Sequence, residues 1–151
     1  MMNIYLDASA TTPPHINVIN RLNEIQSDCW GNPSSIHKVG VNSREILERS
    51  RLSIANKFNA RADEIFFTSG ATESNYFAIK CVCNNIEKGR IVITSVEHPS
   101  INLIANQLIN DGWDIKYWPV DRDGIIELHH IDEMLSPPTK LVSMIWGQSE
   151  I

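Results

Sequence analysis

The sequence predicts an α/β protein with three layers, α/β/α, around a mainly parallel sheet. Short apolar runs rich in Ile, Val and Phe alternate with longer segments whose apolar residues recur at helical spacing. Turns that contain glycine separate the two kinds of segment. With 42% hydrophobic and 21% charged residues, the chain has the composition of a folded domain. Such alternation is typical of a parallel sheet covered by helices.

The first sixty residues predict two helices. Apolar residues at helical spacing predict a helix from His15 to about Cys29. Residues 30–35 form a loop because they are rich in Gly, Asn and Pro. Ser43 is suited to cap a second helix, which runs to about Asn59.

The remaining residues predict four strands with helices between them. The predicted strands are 65–68, 91–94, 114–118 and 141–146. The predicted helices are 73–87, 99–112 and 128–135. A parallel sheet requires such crossover helices between successive strands.

The strongest chemical signal lies where the first of these strands turns through Gly70 into a helix. The first N–H groups of a helix have no partner within it, and the positive end of the helix dipole lies behind them. Gly70 allows close backbone approach, and the hydroxyls of Ser69 and Thr72 can add hydrogen bonds. The pattern suits a phosphate. On geometry alone, a plainly capped helix start is the alternative.

Five segments, in this order and spacing, resemble the cysteine desulfurases of the class V aminotransferase family. The segment at the glycine turn reads SGATESN, at 69–75. The others are YLDASATTP at 5–13, GNPSS at 31–35 with His37, Glu97-His98, and LVSMI at 141–145. The resemblance covers essentially the whole chain.

The resemblance implies a pyridoxal 5'-phosphate (PLP) cofactor. The N–H groups of Ala71 and Thr72, beside Gly70, would hold its phosphate together with the Thr72 hydroxyl. His98 would lie against the pyridine ring as a catalytic residue near the proton-transfer step. Ser149 stands where many members have an asparagine near the ring oxygen, and a serine can donate one hydrogen bond there. Without the resemblance, His98 is interpreted as a surface histidine at a helix start.

The resemblance also implies the architecture of PLP-dependent transferases of fold type I. Residues 1–60 would form an N-terminal arm and helices that belong partly to the small domain. Residues 61–151 would form the first part of the PLP-binding large domain, which would be truncated. In this fold, strand 65–68 pairs with strands from later in the enzyme. The three later strands would therefore neighbour one another without it.

The implied activity removes sulfur from L-cysteine and gives alanine and an enzyme persulfide for iron–sulfur cluster or thio-cofactor synthesis. The PLP-binding lysine and the sulfur-carrying cysteine would follow Ile151, so these residues alone are expected to be inactive. Lys38 imitates the lysine motif but precedes the phosphate segment. A homodimer and a sulfur-acceptor protein are the expected partners. The alternatives are another PLP lyase of this family, acting on cystine or selenocysteine, and a non-enzymatic phosphate-binding module.

Charge and composition argue against other classes. The formal net charge is −5, and no basic stripe is present, so neither nucleic acid nor a membrane is an expected partner. Cys29, Cys81 and Cys83 lack a disulfide framework, and the start lacks a signal peptide, which favours a cytoplasmic location. No metal site is predicted, because His129 and His130 are adjacent and carry no ligand spacing.

Overall fold

The computed structural model describes residues 4–151, and contacts divide the chain into two units. The first unit ends at Phe67 and the second begins at Thr68. Residues 1–3 of the predicted N-terminal arm lie outside the described residues. The division into 1–60 and 61–151 concerns the domains of a whole enzyme and stays a prediction.

Helices dominate the first unit. Helix α1 spans Ile16–Asp28 and helix α2 spans Lys38–Phe58, followed by a 3₁₀ turn at Ala62–Glu64. Across residues 4–151, no helix combines the length and apolar character that crossing a bilayer requires.

Helix α2 begins before Ser43, so the predicted cap is wrong. The His37 imidazole caps the helix instead, because its Nδ1 accepts the Gly40 N–H at 3.2 Å. Ser43 is buried inside the helix, where its hydroxyl donates to the Cys29 carbonyl at 2.9 Å. A histidine can cap a helix as serine does whenever a ring nitrogen carries a free lone pair.

Residues 65–68 do not form the predicted strand. The backbone of Ile65 is extended, with φ −101° and ψ 122°, but no strand among the described residues pairs with this segment. Phe66 is 80% exposed. A strand needs a hydrogen-bonded neighbour, and the three later strands pair with one another instead.

The second unit is built on a parallel sheet with strand order β2-β1-β3. Strand β1 spans Arg90–Thr94, β2 spans Asp114–Trp118 and β3 spans Thr139–Ser143. In the register, Ile91 lies opposite Ile115 in β2 and opposite Leu141 in β3. The prediction that the three later strands form one sheet without residues 65–68 is confirmed.

Three helices accompany this sheet. Helix α3 spans Ala71–Cys83, α4 spans Pro99–Asn110 and the short α5 spans Ile131–Leu135. A 3₁₀ turn at Leu128–His130 leads into α5. Helix α4 connects β1 to β2, as a parallel pair of strands requires.

The sheet buries side chains on both faces. Ile91 and Ile93 pack on one face with residues of α3, α4 and the loop after α4, namely Ile79, Cys83, Ile101, Ile104, Ala105, Leu108 and Trp113. Val92 points to the opposite face, where it packs with Trp118 and Met134. Full burial of each Ile, Leu, Val or Met side chain in these clusters contributes about 1.5–3 kcal/mol. Helix, sheet and helix therefore form three layers, which confirms the predicted fold class.

Candidate functional site

The start of α3 lacks a side-chain cap. Gly70 occupies the N-cap position in an extended conformation, with φ 166° and ψ 179°. A Cβ placed at Gly70 would meet no atom within 4 Å, so the space beside it is open. Ala71 and Thr72, the first two helical residues, are exposed. The helix start is therefore accessible to a ligand.

Three backbone N–H groups are available at this start. The first hydrogen bond that closes the helix runs from the Ser74 N–H to the Gly70 carbonyl at 3.1 Å. Within residues 4–151, the N–H groups of Ala71, Thr72 and Glu73 have no acceptor. Such groups carry the partial positive charge of the helix start. Together they can bind an anion such as phosphate.

Side chains fix the turn in front of these donors. The Thr68 hydroxyl lies 2.7 Å from the Ser74 hydroxyl and donates to the Gly70 carbonyl at 3.1 Å. The Glu73 carboxylate accepts the Ser69 N–H at 2.6 Å. Two hydrogen bonds from Ser69 lower the pKa of Glu73. The larger effect comes from the Ser69 backbone N–H and the smaller from its hydroxyl. Ser69 therefore serves the turn and leaves the following N–H groups for a ligand.

His98 begins α4, in the loop that leaves the carboxyl end of β1. Ligands of open α/β sheets bind at this edge. The Ser100 N–H donates to His98 Nδ1 at 3.1 Å, and the Ser100 hydroxyl lies 2.8 Å from the same nitrogen. Because a backbone N–H can only donate, Nδ1 is the acceptor. The proton of the neutral His98 ring is therefore on Nε2.

Asn75 connects this histidine to the start of α3. Its side-chain N–H donates to the Ser100 hydroxyl at 2.9 Å, and Ser100 is only 4% exposed. A continuous chain of hydrogen bonds thus runs from the second turn of α3 through Ser100 to the His98 ring. The structure therefore connects His98 to α3, the helix that begins at the predicted phosphate turn.

Glu97 fastens the loop before His98. Its buried carboxylate accepts the Thr94 hydroxyl at 2.8 Å and the Ile145 N–H at 2.7 Å. The Asn102 side chain donates to the Glu97 carbonyl at 3.3 Å. The carboxylate therefore joins the end of β1 to the segment that follows β3. Glu97 is part of the Glu97-His98 segment that the sequence singled out. Its hydrogen-bond partners, however, could not be predicted from the sequence.

The segment after β3 is held by Gln148 rather than by Ser149. The Gln148 side chain donates to the Val96 carbonyl at 3.0 Å, and its oxygen accepts the Glu150 N–H at 2.9 Å. Ser149 is exposed, and no hydrogen bond in the described part of the chain joins it to the other candidates. Its role stays a prediction.

Cys83 of α3 lacks the features of a reactive thiol. Cys83 is buried in the apolar cluster, and this burial raises the pKa of its thiol. Cys81 is exposed on the same helix. A raised pKa leaves less thiolate, so Cys83 is suited to packing rather than to nucleophilic attack.

A small polar cluster lies elsewhere, where α5 begins. His129 Nε2 and His130 Nε2 lie 3.7 Å and 3.5 Å from a Glu127 carboxylate oxygen. His130 Nδ1 lies 3.2 Å from the Glu133 carboxylate, which also contacts Lys116. Glu127 is a partner of the two histidines that adjacency in the sequence does not indicate. The Glu133 carboxylate, which forms a hydrogen bond with His130 and an ion pair with Lys116, holds the His130 side chain of this cluster in place.

The match to a known family spans residues 4–151 and is described as Aminotransferase class-V. The chain belongs to the class-V aminotransferase family. This family is the one that the five sequence segments resemble. In their curated names, many similar members of this family are cysteine desulfurases.

Two bacterial members of the family illustrate the similarity. The Dictyoglomus turgidum protein named cysteine desulfurase IscS is 40% identical over 150 residues, which are 98% of this chain and 38% of the relative. The putative cysteine desulfurase IscS 1 of Bacillus subtilis is 37% identical over 153 residues, 100% of this chain and 40% of the relative. The chain thus spans about two fifths of the length of these curated relatives.

Solved structures of the family share this fold. A structure titled NifS-like protein has a TM-score of 0.89 at 32% identity, and the match covers 95% of this chain and 40% of the other. A structure titled SspA in complex with cysteine has a TM-score of 0.83 at 32% identity, covering 93% and 41%. The predicted architecture of PLP-dependent fold type I is confirmed.

Proposed function

We propose that this chain supplies the phosphate-binding and ring-contacting residues of a PLP-dependent cysteine desulfurase. One observation carries the proposal. The helix whose start offers three available N–H groups is joined, one turn later at Asn75, through the Ser100 hydroxyl to the histidine that caps α4. PLP carries a phosphate at one end and a pyridine ring at the other, so each part of the network has a group to bind. The curated names of the relatives support this choice of reaction.

The phosphate end is the better defined part. The N–H groups of Ala71 and Thr72 donate to the phosphate, with the Thr72 hydroxyl as a further donor. Gly70 admits the phosphate because it places no side chain in front of these donors. Charge-assisted hydrogen bonds of this kind are roughly twice as strong as neutral ones.

The ring end uses His98. In this proposal the imidazole lies against the pyridine face, and Nε2 is the atom that holds the exchangeable proton. PLP, when bound, supplies an electron sink for the substrate. His98 then takes up or delivers protons beside the reacting carbon. Ser149 donates one hydrogen bond to the ring oxygen.

The substrate of the whole enzyme is L-cysteine, and its products are alanine and a persulfide on an enzyme cysteine. A related structure is titled as a complex with cysteine, which supports this substrate. The PLP-binding lysine and the sulfur-carrying cysteine belong to the part of the enzyme that these residues do not span. The whole enzyme is proposed to be a cytoplasmic homodimer that passes sulfur to an acceptor protein. The serine at Ser149, where many members have an asparagine, favours a second candidate, a lyase of the same family that acts on cystine or selenocysteine.

A chimaera tests the proposal. Residues 1–151 replace the matched part of the Dictyoglomus turgidum relative, which supplies the rest of an enzyme. We expect the chimaera to bind PLP, seen by visible absorbance, and to release sulfide and alanine in equal amounts from L-cysteine with a thiol reductant. Faster turnover of cystine or selenocysteine would favour the second candidate. A chimaera that folds but binds no PLP would refute the proposal.

The 151-residue chain on its own is the matched control. It should bind inorganic phosphate weakly, and borohydride should fix no PLP at a defined lysine. Reduction that fixes PLP on Lys38 would contradict the assignment, because Lys38 is expected to be outside the site. Phosphate binding by the chain together with an inactive, PLP-free chimaera would favour a non-enzymatic phosphate-binding module.

A further inference from the structure

We infer that Asn75 and Ser100 are positioning residues for His98, and that they fix which nitrogen of its ring carries the proton. Ser100 is nearly fully buried, and its hydroxyl lies between two polar side chains. Asn75 approaches it from α3 at 2.9 Å, and His98 Nδ1 lies on the other side at 2.8 Å. No feature of the resemblance assigns a role to either residue.

The direction of these hydrogen bonds follows from the donors. Asn75 donates its amide N–H to the Ser100 oxygen, so the single hydroxyl proton of Ser100 is free to point at His98. Nδ1 thus accepts from both the hydroxyl and the backbone N–H of Ser100. A ring whose Nδ1 accepts two hydrogen bonds keeps its neutral proton on Nε2. Two contacts at one nitrogen also hold the plane of the ring.

The bridge has a consequence for the site. Asn75 lies one turn after the N–H groups that are proposed to bind phosphate, on the same helix. Ser100 therefore couples the orientation of the ring to the helix that anchors the phosphate. Misplacement of reacting groups by about 1 Å can lower a rate on the order of a hundredfold. Holding the ring through a buried hydroxyl limits such movement.

The first experiment measures the proton position without any cofactor. The 151-residue chain, labelled with ¹⁵N at its five histidines, is studied by NMR in phosphate-free buffer, with His98→Gln to assign the His98 signals. We expect Nδ1 to show the shift of an unprotonated acceptor and Nε2 that of a protonated nitrogen. Ser100→Ala removes the hydroxyl. Asn75→Asp replaces the donating amide with a carboxylate, which can only accept. The Ser100 hydroxyl proton then turns toward Asp and away from His98. Because the backbone N–H of residue 100 still donates to Nδ1 in both variants, each should keep the proton mainly on Nε2 and move the two ¹⁵N shifts only partly toward one another.

The matched control is Asn106→Asp, which adds the same charge at an exposed position of α4 and should leave the His98 shifts unchanged. A proton on Nδ1 in the unmodified chain would overturn the inference. So would shifts that stay unchanged in Ser100→Ala or in Asn75→Asp while circular dichroism shows a folded chain.

The second experiment depends on the proposed function and uses the chimaera. Ser100→Ala and Asn75→Asp should each lower kcat about tenfold with little change in KM, because a misoriented ring affects the chemical step. Failure of the chimaera to bind PLP would refute the proposed function and leave the NMR result to decide the inference. Altered ¹⁵N shifts with unchanged kcat would show that the network positions the ring without affecting turnover, which would overturn the coupling to catalysis.

Discussion

The starts of α3 and α4 lie in the same unit but differ in whether their first N–H groups have hydrogen-bond acceptors. At α4, Pro99 has no N–H, the Ser100 N–H donates to His98 Nδ1 at 3.1 Å, and the Ile101 N–H donates to the His98 carbonyl at 2.9 Å. At α3, Gly70 offers no side chain, and the three following N–H groups have no acceptor in the described part of the chain. The first N–H groups of α4 are therefore satisfied, whereas those of α3 are left open to a ligand.

This difference separates a helix start whose N–H groups are satisfied within the protein from one whose N–H groups are free to bind a ligand. Histidines also cap α1 and α2, through His15 with the Asn17 N–H and His37 with the Gly40 N–H. A side-chain cap stabilises a protein by about 1 kcal/mol. Among the four longer helices, α3 alone forgoes it within the described residues. An uncapped, exposed start is what an anion site requires.

The largest expected effect comes from separating the two roles of His98, which caps α4 and is proposed to contact the cofactor ring. His98→Asn keeps a capping side chain but removes the ring, so the melting temperature should change little. In the chimaera, kcat should fall on the order of 10²-fold or more, the range of general acid–base catalysis. His15→Asn makes the same change at a helix cap that is not among the candidate site residues, and it should leave kcat unaltered. Equal kcat values for the two variants would contradict a catalytic role.

Adding a side-chain cap at the start of α3 should make this helix start resemble that of α4. Gly70→Asp places a capping carboxylate where space is free and where the extended backbone suits any residue. The free energy of unfolding, measured with urea, should rise by about 1 kcal/mol. The affinity of the chain for phosphate should fall more than tenfold, because the new carboxylate competes for the N–H groups and repels the anion. Gly147→Asp, at another glycine with open surroundings, should show neither effect, and unchanged phosphate affinity in Gly70→Asp would refute the anion site.

Removing one donor should have a smaller effect. Proline is tolerated at the first position of a helix, so Ala71→Pro deletes one N–H and should preserve α3. Loss of one charge-assisted hydrogen bond should weaken phosphate binding about tenfold by isothermal titration calorimetry. Lys38→Pro makes the matched change at the start of α2 and should leave phosphate binding in place. If both variants bind phosphate as the unmodified chain does, the Ala71 N–H is not a ligand.

The smallest effect concerns Glu73 and pH. Hydrogen bonds from Ser69 lower the pKa of Glu73 from its ordinary value of 4.5. The ionised carboxylate therefore stabilises the turn fully when the pH is above 4.5. That stabilisation should be lost as the pH falls through the lowered pKa. Glu73→Gln should therefore melt slightly below the unmodified chain at pH 7, and the difference should vanish well below pH 4.5. Glu87→Gln provides an exposed control, and a constant difference down to acid pH would contradict this origin.

Local patterns in the sequence were sufficient for most of the sheet and for the glycine turn that begins α3. The strand at 91–94 and the helix that begins at Pro99 follow from apolar spacing. Their regularly spaced apolar residues are the same residues that pack in the core. The open start of α3 follows from Gly70 and its small neighbours. Residues 65–68 have the composition of a strand, but pairing depends on a partner strand that local composition cannot supply.

The features that sequence reasoning missed join distant residues. The Asn75–Ser100 hydrogen bond connects two helices, and the Glu97–Ile145 contact connects a loop to the segment after β3. No local periodicity encodes such pairs. The start of α2 was misplaced for a different reason, because a serine is the commoner cap and His37 was not considered for that role.

The strand order has a consequence for the sequence of events in folding. Strand β1 meets β2 across one intervening helix, whereas β3 joins the far side of β1 only after the α5 region has been added. Closing the shorter connection costs less chain entropy. We therefore expect the β1–α4–β2 unit to assemble first and β3 to dock last. Pulsed hydrogen exchange during refolding should then protect the amides of Ile115 and Tyr117 before those of Leu141 and Ser143.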